Sequence, residues 1–211
     1  MDTKQFITDN KIVAILRRIP SDKLLDLVDA IYAGGIRCIE VTVDQQGEIS
    51  DTTHAIERIR NAFDGRICVG AGTVMTPDQV RSVAAAGASY MISPNYDRAV
   101  IETTKELGLV SMPGALTPSE IAAAYSFGAD FVKVFPASVF GPSYFKAVKA
   151  PMPQIPLMAV GGVTPETARS YMEAGASGIG IAGGVVNRAW IDQNRFDEVT
   201  REAKRYVEAI R

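Results

Sequence analysis

A lysine stands in the middle of an otherwise apolar stretch, Phe131-Val132-Lys133-Val134-Phe135. Burial disfavours the charged ammonium and lowers its pKa. A partly neutral amine is a nucleophile toward carbonyls, so Lys133 is a candidate for imine chemistry. The alternative is a silent buried ion pair with Glu40, and such pairs are weak evidence for stability. Glu40 interrupts a second apolar run, CIEVTV (Cys38–Val43), where a carboxylate can move protons beside the amine. Arg17 ends a third run, IVAIL (Ile12–Leu16), and suits a carboxylate or phosphate. Arg18 follows it, so strand register decides which arginine points inward. Thr73, in GAGTV, offers a hydroxyl beside glycines that let a ligand approach the backbone. Thr42, Ser93 and Ser111 complete a set of seven polar residues in apolar runs; the two serines can also satisfy themselves on nearby backbone. A second cluster is glycine: Gly161-Gly162 and Gly183-Gly184 each close an apolar run. Glycine-bared amides at a helix N-terminus bind phosphate, although tight turns also recruit glycine.

These residues need elements that bring them together. Eight short apolar runs recur, beginning near Ile12, Cys38, Ile67, Tyr90, Leu109, Phe131, Leu157 and Gly178. Their length and near-continuous apolarity predict strands buried on both faces, as in a parallel sheet. Between them, Leu24, Leu25, Val28 and Ile31 mark one helix face. Thr76-Pro77, Thr117-Pro118 and Thr164-Pro165 signal helix starts. Thr117 with Glu120 and Thr76 with Gln79 fit the capping box. Gly34, Gly65, Gly87, Gly108, Gly128 and Gly175 each precede a run, where glycine supplies the left-handed residue that ends a helix. From Ile12 to Gly178 there are seven steps in 166 residues, about 24 each. Eight such units predict a single (β/α)8 TIM barrel over residues 1–211, with the first ten residues forming a short N-terminal helix that closes the bottom. An open doubly wound sheet is the alternative, but it would carry a glycine fingerprint after the first strand, and RRIPS stands there. In the barrel the C-terminal strand ends carry the active site, and nearly all seven polar residues lie in the second half of their runs.

Composition narrows the field. The chain is 47% hydrophobic and 22% charged, with a net charge of −2, which gives no basic footprint for nucleic acid. No apolar run reaches the ~18 residues of a membrane span, and MDTKQFITDNK lacks a signal-peptide core, which predicts a cytoplasmic protein. One histidine and two cysteines leave few metal ligands, so a zinc enzyme is not expected; no other metal and no cofactor is expected either. Cys38 and Cys68 fall in apolar runs and read as buried free thiols. His54 reads as an exposed helix residue, Trp190 as packing the C-terminal helix or capping the mouth, and the charges from Asp197 to Arg211 as a solvated helix face.

Taken together, GGIRCIEVT, GAGTV, ISPN, PGALTP, FVKVFPAS, FGPSYFKAVKAPMPQIPLMAVGGV and the closing Gly-Gly resemble the 2-keto-3-deoxy-6-phosphogluconate (KDPG) / 4-hydroxy-2-oxoglutarate (KHG) aldolase family, over essentially the whole chain. The resemblance implies a class I aldolase on a (β/α)8 barrel, usually homotrimeric, cleaving a 2-keto-3-deoxy sugar acid to pyruvate and an aldehyde such as glyceraldehyde 3-phosphate. KHG and the galactonate epimer (KDPGal) are alternative substrates. Lys133 then matches the Schiff-base lysine and Glu40 the general acid/base. Arg17, Thr73 and Pro94 match substrate contacts, Phe135 an aromatic beside the lysine, and Gly161, Gly162, Gly183 and Gly184 the phosphate loops. One position departs: many members read EVTLRT, with an arginine near the substrate carboxylate, where this chain has Asp44. An acid there would repel a carboxylate unless Arg17 compensates, or would bond a hydroxyl of a different sugar acid. A phosphosugar isomerase or a non-catalytic phosphosugar-binding barrel would use the same glycine loops without an imine, and fold alone does not separate these.

Overall fold

The computed structural model describes residues 2–211. Nine short strands form one parallel sheet: β1 (Ile12–Leu16), β2 (Cys38–Thr42), β3 (Cys68–Gly72), β4 (Tyr90–Ile92), β5 (Val110–Met112), β6 (Gly114–Ala115), β7 (Val132–Val134), β8 (Leu157–Val160) and β9 (Gly178–Ile181). They lie in the order β5-β4-β3-β2-β1-β9-β8-β7-β6. β5 and β6 are two pieces of one stave. Pro113 stands between them, and proline has no amide to continue a ladder. Its carbonyl still accepts from Lys133 N at 2.8 Å, and Ser111 O accepts from Phe131 N at 3.2 Å. The ladder therefore runs from β7 back onto β5 and closes an eight-stave barrel, as the repeat length predicts.

Successive strand residues face opposite sides, and the two faces form separate cores. Inside the barrel, Val13, Ile15, Cys38, Cys68, Tyr90, Ile92, Val110, Met112, Phe131, Met158 and Val160 pack together. The helix α1 (Thr3–Asn10) plugs the bottom with Ile7, which joins this inner cluster. The outward residues pack against the helices α2 (Leu24–Ala33), α3 (Ile49–Phe63), α4 (Pro77–Ala85), α5 (Arg98–Glu106), α6 (Pro118–Ser126), α7 (Gly141–Lys149), α8 (Pro165–Glu173), α9 (Arg188–Asp192) and α10 (Phe196–Ala209). Both cysteines are free and buried, and burial holds both thiols well above their ordinary pKa. No described helix is long and apolar enough to cross a membrane.

The three Thr-Pro signals are helix starts, and the Thr117–Glu120 capping box closes as expected. One helix end differs. Gly34 keeps right-handed backbone (φ −74°), and the left-handed residue is Gly35 (φ +102°). A Cβ on Gly34 would collide with the Ala203 side chain and lie 2.9 Å from Thr200 O, so glycine there lets α2 pack closely on α10.

Candidate active site

The inner faces explain which polar side chains meet. Val13 and Ile15 point into the barrel, so the same alternation turns Arg17 inward and Arg18 away. Along β2 the sequence runs inward from Cys38 to Glu40, and along β7 from Phe131 to Lys133 and Phe135. Above the apolar floor these residues line a cavity of about 790 Å³ with Thr73, Pro94, Gly161, Gly162, Gly183 and Gly184. All ten residues singled out in the sequence thus share one cavity at the C-terminal strand ends. Of the seven polar strand residues, however, Arg17, Glu40, Thr73 and Lys133 line it, whereas Thr42, Ser93 and Ser111 do not. Ser93 Oγ donates to Val74 O at 2.6 Å and Thr42 Oγ1 to Leu16 O at 3.2 Å; these hydroxyls serve the local backbone.

Lys133 is 7% exposed and Glu40 2% exposed. Glu40 Oε2 has no hydrogen-bond partner among the described residues, unlike the satisfied carboxylate of a silent ion pair. Burial pulls Lys133 below the ordinary lysine value; the Glu40 charge opposes this and Arg17 reinforces it. Burial pushes Glu40 above the usual carboxylate range, against the pull of Lys133 and Arg17. Each group is therefore moved toward its neutral form, the direction that suits an amine nucleophile and a proton-carrying acid. The Lys133 amine sits over the Phe135 ring, 4.8 Å from its centre.

The glycines of GAGTV have a different task from the one the sequence suggests. A Cβ on Gly70 would overlap the Tyr90 ring, and one on Gly72 would overlap the Glu40 carboxyl. They clear space for side chains rather than for a ligand. Thr73 follows with φ +56°, an uncommon conformation for a β-branched residue. Gln45 Nε2 holds its carbonyl at 2.8 Å and is itself held by Gln79 at 3.0 Å, a support that no sequence motif announced.

At the other glycine cluster, Gly161 (φ +94°) and Gly162 (φ +76°) need left-handed backbone, and Gly184 lies against the Tyr206 hydroxyl. Gly183 has neither reason: nothing stands within 4 Å of where its Cβ would be. Its bare backbone opens onto the cavity. The same stretch of wall holds Glu166 and, from the C-terminal helix that the sequence reads as a solvated face, Glu202, Arg205 and Tyr206. Their charged, helical spacing gives no sign of a cavity behind it.

Asp44, the departure noted above, turns out of this cavity. Arg18 grips its carboxylate with two bonds of 2.8 and 2.9 Å and, with the Gln46 amide, holds it below the usual carboxylate range. Both residues line a second cavity of about 500 Å³ with His54, Arg58 and Arg188. His54 is exposed, as expected. Trp190 is half-buried against the outer core and does not line the Lys133 cavity.

Comparison with known proteins agrees with this geometry. Residues 3–202 match the family model described as KDPG and KHG aldolase. The 2-dehydro-3-deoxy-6-phosphogalactonate aldolase of Escherichia coli K12 is 33% identical over 98% of this chain and 99% of its own length. The KHG/KDPG aldolase of the same organism is 27% identical over 99% and 96%. The KDPG aldolase of Legionella pneumophila, solved with pyruvate captured as a covalent carbinolamine, superposes with a TM-score of 0.84 at 25% identity over 97% of both chains. A closed barrel, a buried lysine and carboxylate at its mouth, and a family match over nearly the full length lead to one assignment: this chain belongs to the KDPG and KHG aldolase family.

Proposed function

We propose that the chain cleaves a 6-phosphorylated 2-keto-3-deoxy sugar acid to pyruvate and glyceraldehyde 3-phosphate through an imine on Lys133. The observation that carries this reading is the desolvated Lys133 amine sharing one cavity with Glu40, whose buried oxygen awaits a partner. The neutral amine attacks the ketone carbon. The ketone oxygen takes up protons and leaves as water, and an iminium forms. When the C4 hydroxyl loses its proton, the C3–C4 electron pair flows into the iminium and the aldehyde departs. The resulting enamine is protonated at C3, and water releases pyruvate and the free amine. Splitting one difficult cleavage into these steps is the advantage of covalent catalysis. Glu40 carries the protons. Arg17 takes the substrate carboxylate, with Thr73 and Pro94 beside the pyruvate unit and Phe135 against the imine. The amides at Gly161, Gly162, Gly183 and Gly184 take the phosphate.

The galactonate epimer is the first substrate to test, because the relative named for it is the more similar of the two compared, at 33% against 27% identity. With Asp44 neutralised by Arg18 outside the cavity, repulsion of the substrate carboxylate does not arise. We also place the enzyme in the cytoplasm as a homotrimer. The exposed apolar residues Val139 and Phe140, which follow the cavity-lining Phe135, support self-association.

The test is incubation with pyruvate and borohydride, followed by peptide mass mapping. Borohydride converts an imine to a stable amine, so a pyruvate-derived mass on Lys133 is expected, and Lys133→Ala should carry none and turn over nothing. A folded protein without an adduct would move the reading to an isomerase or a binding barrel.

A further inference from the structure

Three charged side chains at the glycine end of the cavity have no part in the chemistry above. Arg205, on α10, donates from Nη1 to Glu202 at 2.6 Å and from Nη2 to Glu166 at 2.6 Å. Its neighbour Tyr206 lies against Gly184, and Glu166 stands in the first turn of α8, just past Gly161 and Gly162. The other cations lining this cavity are Arg17, just past the end of β1, and Lys133 on β7, which leaves Arg205 as the cation beside the glycine turns.

The two carboxylates holding Arg205 are unlike. Glu202 is three residues away on the same helix and its side chain is 14% exposed. Glu166 belongs to another helix and is 66% exposed. It is the second residue of α8, where the helix N-terminus helps hold its carboxylate below the usual range. It therefore occupies the kind of seat a helix N-terminus offers to an anion. A phosphate has more acceptor oxygens and more charge than one carboxylate, and a guanidinium matches it with two parallel bonds.

We propose that Arg205 sets the preference for a phosphorylated distal end: its Nη2 leaves Glu166 for the substrate phosphate, while Glu202 keeps hold of Nη1 and aims the guanidinium at the glycine turns. Glu166 is the resident carboxylate that phosphate displaces. Gly183, with open space over its backbone, lets the phosphate come within reach. This rests on the aldolase reading of the same cavity.

The experiment compares kcat and KM for a 6-phosphorylated 2-keto-3-deoxy acid and its unphosphorylated counterpart, using the full chain and the variants Arg205→Gln, Arg205→Lys and Glu166→Gln. The wild type should prefer the phosphorylated acid. Arg205→Gln should reduce that preference on the order of 10- to 100-fold, through KM. Arg205→Lys should restore part of it, since it keeps the charge but loses the fork. Glu166→Gln should lower KM for the phosphorylated acid. A wild type indifferent to phosphate, or an Arg205→Gln variant that loses equally on both substrates or on neither, overturns the proposal. Pyruvate trapping run in parallel keeps two failures apart. A wild type without adduct defeats the aldolase reading and this proposal with it. A normal adduct with an unchanged preference in Arg205→Gln defeats only the role of Arg205.

Discussion

Burial and two neighbouring charges set the reactivity of one amine, and their signs can be separated. Lys133 is held below its ordinary value mainly by burial, with Glu40 opposing and Arg17 reinforcing. Imine formation needs the neutral amine, so its rate should rise with pH through an inflection below the ordinary lysine value. Removing the carboxylate charge with Glu40→Gln takes away the stabilisation of the ammonium, and the inflection should move down. This holds above the raised pKa of Glu40, where the carboxylate is ionised. Removing the cation with Arg17→Met takes away a repulsion, and the inflection should move up. The measurement is the rate of adduct formation with pyruvate against pH, which avoids cleavage steps that also need Glu40. Shifts in the same direction, or no shift, would mean that burial alone governs the amine and that the neighbouring charges are too well screened to matter.

At the scale of the element, the strands place these groups by what their neighbours lack. Gly72, at the end of β3, is required because the Glu40 carboxyl fills the space of a Cβ. Gly72→Ala should therefore reduce turnover on the order of 10²-fold or more, the scale of losing a positioned general acid/base. Gly183→Ala meets open space and should unfold within about 0.5 kcal/mol of the wild type, as surface substitutions do. Thermal unfolding and turnover of both variants decide this. A fully active Gly72→Ala enzyme would show that Glu40 has room to move and that its position is not what β3 protects. Much of this arrangement is legible in the sequence. The eight runs, the Thr-Pro starts and the polar residues late in their strands arise from local patterns, so the barrel, Lys133 and Glu40 can be read directly. The tasks of Gly70 and Gly72 cannot, because they depend on a side chain from an adjacent strand. Arg205 and Glu202 escape for a similar reason: on α10 they look like any charged helix face until α8 and the glycine turns close over them.

For the whole molecule, a barrel exposes the cavity mouth on one rim, and the segment beyond β7 carries apolar surface out to that rim. Phe135 is 40% exposed, Val139 63% and Phe140 51%, with Phe140 stacked on Tyr144 at 5.2 Å between ring centres. Burying a valine or phenylalanine side chain contributes about 1.5–3 kcal/mol relative to leaving it exposed. In a cyclic trimer each such contact occurs three times, so a small patch can hold the assembly. A carboxylate placed in that patch would lose its hydration on association. On the homotrimer reading, the wild type should sediment as a trimer and the double variant Val139→Asp, Phe140→Asp as a monomer with an unchanged far-UV spectrum. Because Phe135 lines the cavity, the monomer should also turn over more slowly if the neighbouring subunit shields the mouth from water. A wild type that sediments as a monomer removes the trimer outright. A trimeric double variant keeps the trimer but moves its interface to another face of the barrel, leaving Val139 and Phe140 as the rim of an open mouth.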